Sequence, residues 1–122
     1  MLLLLCSCQW QESKVSINET STVVYQDRHV TREEAARLGA VLLDLGYFDT
    51  YDQRTVYLRK EGRLYSVTFL MNKEGFLSDK ENNIAGLSVW RQWIQEQALG
   101  YAPTQLIIAD EQRRPMHIIR AD

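Results

Sequence analysis

The stretch from Thr31 to Phe48 constrains the fold more than any other, because it carries both ends of a helix and the face that must be buried. Thr31 followed by Glu34 is a capping box: the threonine hydroxyl takes a free helical N–H and the glutamate reaches back to the threonine N–H. Val30 and Ala35 stand where a hydrophobic staple forms, and Gly46 supplies a left-handed stop. Between them Ala35, Leu38, Val41, Leu42 and Leu45 fall on one stripe at helical spacing, with Tyr47 and Phe48 placed to fold back over the helix end. A helix that is apolar on one side needs a second layer to lie on, and the flanking sequence reads as strands.

Thr22–Gln26, centred on Val23, Val24 and Tyr25, is a short strand leading into the helix. Beyond the helix, 55–59 alternates so that Val56 and Leu58 share a face. Gly62 turns the chain into a second strand, 64–71, whose Tyr65, Val67 and Phe69 share the side expected to meet the helices. A polar connection follows to Asn83, interrupted only by Phe76 and Leu77. A second helix is expected from Ile84 to Leu99, capped by Asn83, striped by Ile84, Leu87, Trp90, Ile94 and Ala98, and ended by Gly100 ahead of Pro103. The near-continuous apolar run at 105–109 predicts a strand buried on both faces, and 116–120 a final strand antiparallel to it. Strand, helix, strand, strand, helix, strand, strand is most simply an α+β fold: an antiparallel sheet with two helices on one face, a ferredoxin-like plait or close variant.

The N-terminus reads differently. Residues 1–8 hold four leucines and both cysteines of the chain, Cys6 and Cys8, too close together and too far from the apolar segments to staple a fold. Leu5, Cys6, Ser7 and Cys8 resemble a bacterial lipobox, and that resemblance implies a lipid on Cys8 and a place at the bacterial cell envelope; without a lipid, the segment is a scrap of a cytoplasmic protein or a truncated membrane segment. Residues 9–21 are polar and without period, and are expected to act as a tether. Residues 22–122 then form one α+β domain, since 122 residues are too few for two useful cores.

The runs Glu34 to Gly39, Leu45 to Asp49, Val56 to Leu58, Tyr65 to Phe69 and Pro103 to Ile108 resemble small bacterial domains of unknown function, often membrane-associated or lipid-anchored. The resemblance spans about Val23 to Ile119, implies the α+β fold and supports the envelope location; it brings no catalytic residue.

Chemistry is sparse. His29 precedes the first helix, in Gln26, Asp27, Arg28, His29, and His117 alternates with Met116 and Ile118 in a strand; each is read as structural rather than as an acid–base or nucleophilic group. Asp44, Asp49 and Asp52 cluster where the first helix ends but lack the spacing of a calcium loop, so no metal and no cofactor is called for. A net charge of -2, from 14 basic and 16 acidic residues well mixed along the chain, offers no stripe for a phosphate backbone, and nucleic acid is not an expected partner. What is left is surface. Around the second helix, Trp93 falls at the rim of the buried stripe with Val89 one turn before it, the kind of aromatic anchor that interfaces use. The expected function is therefore non-catalytic, an envelope-associated domain that binds a protein partner through Trp93 and Val89. The alternative is a soluble plait that binds a small ligand, or hydrolyses one, in the groove between helices and sheet.

Overall fold

The computed structural model describes residues 11–121. Within them the chain runs β1 (Glu12–Ser16), β2 (Ser21–Gln26), α1 (Arg32–Asp44), β3 (Arg54–Glu61), β4 (Leu64–Leu70), α2 (Lys73–Ser78), α3 (Lys80–Gln97), β5 (Thr104–Ala109) and β6 (Pro115–Ile119). All the strands join one six-stranded sheet in sequence order. Hairpins and crossovers alternate: β1–β2, β3–β4 and β5–β6 are antiparallel, whereas β2–β3 across α1 and β4–β5 across α2 and α3 are parallel.

This corrects the ferredoxin-like plait. A plait leaves room for another strand between the two strands of each strand–helix–strand unit, and is antiparallel throughout. Here each crossover returns to the adjacent position, so that Val23 pairs with Val56 and Val67 with Leu106, and the sheet is mixed. The described residues also hold three helices rather than two.

The additional strand comes from the segment read as a tether. Glu12–Ser16 pairs along the outer edge of β2, from Glu12 opposite Gln26 to Ser16 opposite Thr22, and turns Val15 into the core. Asn18 organises the hairpin turn by accepting the Thr20 N–H at 2.9 Å. The additional helix comes from the polar connection. Asn72 caps α2 by accepting the Gly75 N–H at 2.9 Å, and Phe76 inserts from α2 into the core. Asn83, expected to cap the second helix, lies inside α3 and donates to the Phe76 carbonyl at 3.2 Å, tying the two helices together.

The first helix forms as its ends dictate. Thr31 Oγ1 accepts the Glu34 N–H at 3.1 Å while Glu34 Oε1 accepts the Thr31 N–H at 2.8 Å. Gly46, at φ 84°, reverses the chain so that the N–H groups of Tyr47 and Phe48 return to the Leu42 carbonyl. Inside the sheet, rows such as Tyr25, Leu58, Val67, Leu106 and Ile119 run from strand to strand across the helix-facing side, and all are buried. Both long helices cover that side, α1 over β1 and β2, and α3 over β5 and β6. The other side carries Lys14, Thr22, Tyr57, Thr68, Ile107 and Ile118, so Ile107 is half-exposed and β5 is not buried on both faces as its composition suggests.

On a flat sheet β1 and β5 would stand roughly 19 Å apart at the usual strand spacing. Yet Arg113, in the β5–β6 turn, lies 3.3 Å from Glu12 Oε2 and 3.8 Å above the Tyr57 ring centroid. The sheet must therefore curl, and this arginine links its two ends across the uncovered side.

Candidate functional site

The site is built on α3, whose two faces have separate work. Its inner face is held by Ile94 and Ala98, fully buried, with Ile84, Leu87 and Trp90 packed half-buried against the core. Arg91 lies on this same stripe, one turn from Leu87 and Ile94, and is buried too: its Nη1 donates to Gln95 Oε1 at 2.8 Å and to the Thr104 carbonyl at 3.2 Å, fastening the helix to the start of β5. The end of the helix is closed from α1, where Arg37 Nε donates to the Ala98 carbonyl at 3.1 Å and places a cation at the negative end of the helix dipole.

Along the outer face Ala85, Val89 and Trp93 follow at four-residue spacing and are exposed. Val89 is 68% exposed and Trp93 47%, so this ridge is apolar, unpaired within the described residues and bordered by the Gln92 to Glu96 hydrogen bond. The two residues singled out in the sequence, Trp93 and Val89, thus stand together on one helix turn. Cys8 lies outside the described residues.

Where the first turns of α3 pass the open ends of β3 and β4 there is a cleft of about 320 Å³, lined by Tyr47, Phe69, Met71, Leu87 and Trp90 with Arg54, Asn82, Asn83 and Gly86 at its borders. The aromatic rings meet edge to face, with centroids 5.0 Å apart for Tyr47 and Phe69 and 5.9 Å for Tyr47 and Trp90. The Arg54 guanidinium sits 4.7 Å from the Tyr47 centroid and pairs loosely with Asp52 at 3.5 Å, while its buried Nε has no hydrogen-bond partner. Burial pushes the Tyr47 hydroxyl above its ordinary pKa, against the opposing pull of Arg54. Sequence reading missed this cleft because its members come from four separate elements. The available signals were Tyr47, just past a helix stop and pointing back at the sheet, and Arg54, a charged residue that alternation puts on the same side of β3 as the buried Val56 and Leu58.

The remaining candidates are dispersed. His29 is exposed in the turn before α1, and His117 is half-buried in β6 with its ring 6.4 Å from that of Phe76. Asp49 spends its carboxylate on the loop itself, accepting the N–H groups of Tyr51 at 2.9 Å and Asp52 at 3.0 Å. These backbone bonds, Asp52 first, hold its carboxyl below the usual range. Among the described residues no group of acidic, histidine or cysteine side chains is arranged to hold a metal ion.

No curated protein matches the chain, and no solved structure matches it. A family model does, over residues 14–119, beginning inside β1 and ending with β6, so that both faces of α3 fall within the match. The chain belongs to the family described as the AF_1994_N family N-terminal domain, a domain of unknown function.

Proposed function

We propose that this domain is a non-catalytic interaction module that binds another protein through the outer ridge of α3, and that it is held at the bacterial cell envelope by a lipid on Cys8. The observation that carries the first part is the exposure of Val89 and Trp93 one turn apart on a helix whose other face carries the buried Ile94 and Ala98. A tryptophan that is half covered at the rim of a fold keeps enough apolar surface to anchor a partner, and tryptophan is among the residues that dominate interface energetics. The family description, an N-terminal domain, suits a module that works beside other domains. The lipid rests on the sequence Leu5, Cys6, Ser7, Cys8. Among the described residues no helix is long and apolar enough to cross a membrane.

Two experiments test the parts separately. A photoreactive phenylalanine at position 89, in the source cell, should crosslink one discrete partner, and Trp93→Ala should remove that product; a crosslinker at the exposed Glu61 should not give it. Crosslinking that is equal at both positions, or unaffected by Trp93→Ala, defeats the ridge. For the anchor, the intact mass of the protein made from its natural start should show diacylglycerol on Cys8, lost in Cys8→Ser; an unmodified Cys8 defeats it.

A further inference from the structure

The cleft beneath Trp90 has a feature that packing does not explain. Gly86 lies within α3, in ordinary helical conformation, although glycine is the least favourable residue there after proline. The other helical glycine next to the core, Gly39, is required by close approach, since a Cβ there would overlap Ile17. At Gly86 an added Cβ would meet nothing within 4 Å, and the residue borders the cleft. No second element approaches the glycine, and it leaves this border of the cleft without a side chain.

The walls then define an occupant. Tyr47 and Trp90, backed by the buried Phe69, present ring surface suited to another flat apolar group, and the cleft is at the small end of the range for ligand pockets. Arg54 is the charged residue of its lining, and no acidic residue joins it. Besides the Tyr47 side chain, its ion-pair partner is Asp52, a solvent-exposed carboxylate at 3.5 Å, the kind of pair that contributes little and is readily exchanged. A guanidinium backed by a tyrosine ring, with Nε unsatisfied, matches a carboxylate. We infer that the cleft is a binding site for a small aromatic carboxylate, its ring against Tyr47 and Trp90 and its carboxylate on Arg54. This site is separate from the Trp93 ridge, and the domain would carry both.

The probe is 3-phenylpropionate, titrated into the full chain and followed by amide and indole NMR, with 3-phenylpropionamide as its neutral counterpart. The acid should shift the Trp90 indole and the Gly86 and Leu87 amides in a saturable manner. The amide should bind about tenfold more weakly, as should the acid to Arg54→Gln, the usual consequence of losing a hydrogen bond to a charged group. Gly86→Leu should fold with an unchanged or raised thermal midpoint and bind neither compound, because its side chain grows at the cleft's mouth. Trp93→Ala, which removes the ridge, should bind the acid like the unaltered chain. The site is overturned if the acid leaves the Trp90 indole unshifted at millimolar concentration, if acid and amide bind equally, or if a folded Gly86→Leu binds as the unaltered chain does.

Discussion

Gly39 and Ile17 show how much a single residue can decide. A Cβ on Gly39 would run into the Ile17 side chain, so the inner face of α1 is shaped to receive the residue that follows β1. Replacing an exposed helical glycine by alanine stabilises a helix by up to about 1 kcal/mol. Here the overlap should reverse the sign, and Gly39→Ala should destabilise the domain by about 1–2 kcal/mol, within the usual cost of overpacking. A raised urea midpoint would mean that the end of the Ile17 side chain moves aside at less cost than the helix gains. A second residue pair sets the response to pH. The Tyr65 hydroxyl donates to Glu34 Oε2. Partial burial raises the Glu34 carboxyl, but the Thr31 N–H, the Tyr65 and Thr31 hydroxyls and the Lys60 charge together leave it below its ordinary 4.5. For Tyr65, burial first and the Glu34 carboxylate next push the hydroxyl from 10.0 to about 12. A lowered acid stabilises the fold above its unfolded pKa and loses that contribution as pH falls, so Glu34 should weaken the domain from about pH 4.5 downward. A raised one stabilises below its unfolded pKa, so the Tyr65 contribution should be whole below pH 10.0 and disappear towards pH 12. In denaturant titrations Tyr65→Phe should shrink the alkaline limb to what the raised Tyr47 hydroxyl supplies and flatten the acid one; an unchanged alkaline limb would place the effect elsewhere.

At the level of elements, legibility followed one-sidedness. The first helix could be read from Thr31, Glu34 and Gly46 because its ends are closed by bonds between residues a turn apart. Val56 with Leu58, and Tyr65 with Val67 and Phe69, could be read because each strand has one buried face. β1 escaped because an edge strand needs little: Val15 is its buried apolar residue, between Lys14 and Ser16, and its remaining interactions, such as Ser13 Oγ donating to Asp27 Oδ1 at 2.7 Å, leave no period. α2 escaped because Gly75 stands in its middle and Phe76 is its buried anchor. Its start depends on Asn72, so Asn72→Ala should cost about 1 kcal/mol, the usual value of an N-cap. Amide exchange should then quicken across 73–78 before it does in α3; uniform quickening would make α2 and α3 one cooperative unit. The cleft was least legible of all, since Tyr47, Arg54, Phe69 and Trp90 meet only when α1, β3, β4 and α3 are in place.

For the molecule as a whole, periodicity shows which strands exist and not which are neighbours. A strand–helix–strand unit satisfies the same pattern whether its strands are adjacent or separated by one, and adjacency here turns a plait into a mixed sheet in sequence order. That order concentrates the functional surfaces. With α1 over one half of the sheet and α3 over the other, the inner face of α3 must seal the core while its outer face has no structural duty. Comparing Trp90→Ala with Trp93→Ala by equilibrium denaturation separates the two faces of α3. Trp90 packs on Tyr47 and Phe69, and its loss should cost about 3 kcal/mol, the lower end for a core aromatic. Trp93 is 47% exposed, and its loss should cost less than about 1 kcal/mol, in the range of surface substitutions. Equal losses would contradict the account, because Trp93 would then belong to the core and the ridge proposed for a partner would be part of the fold.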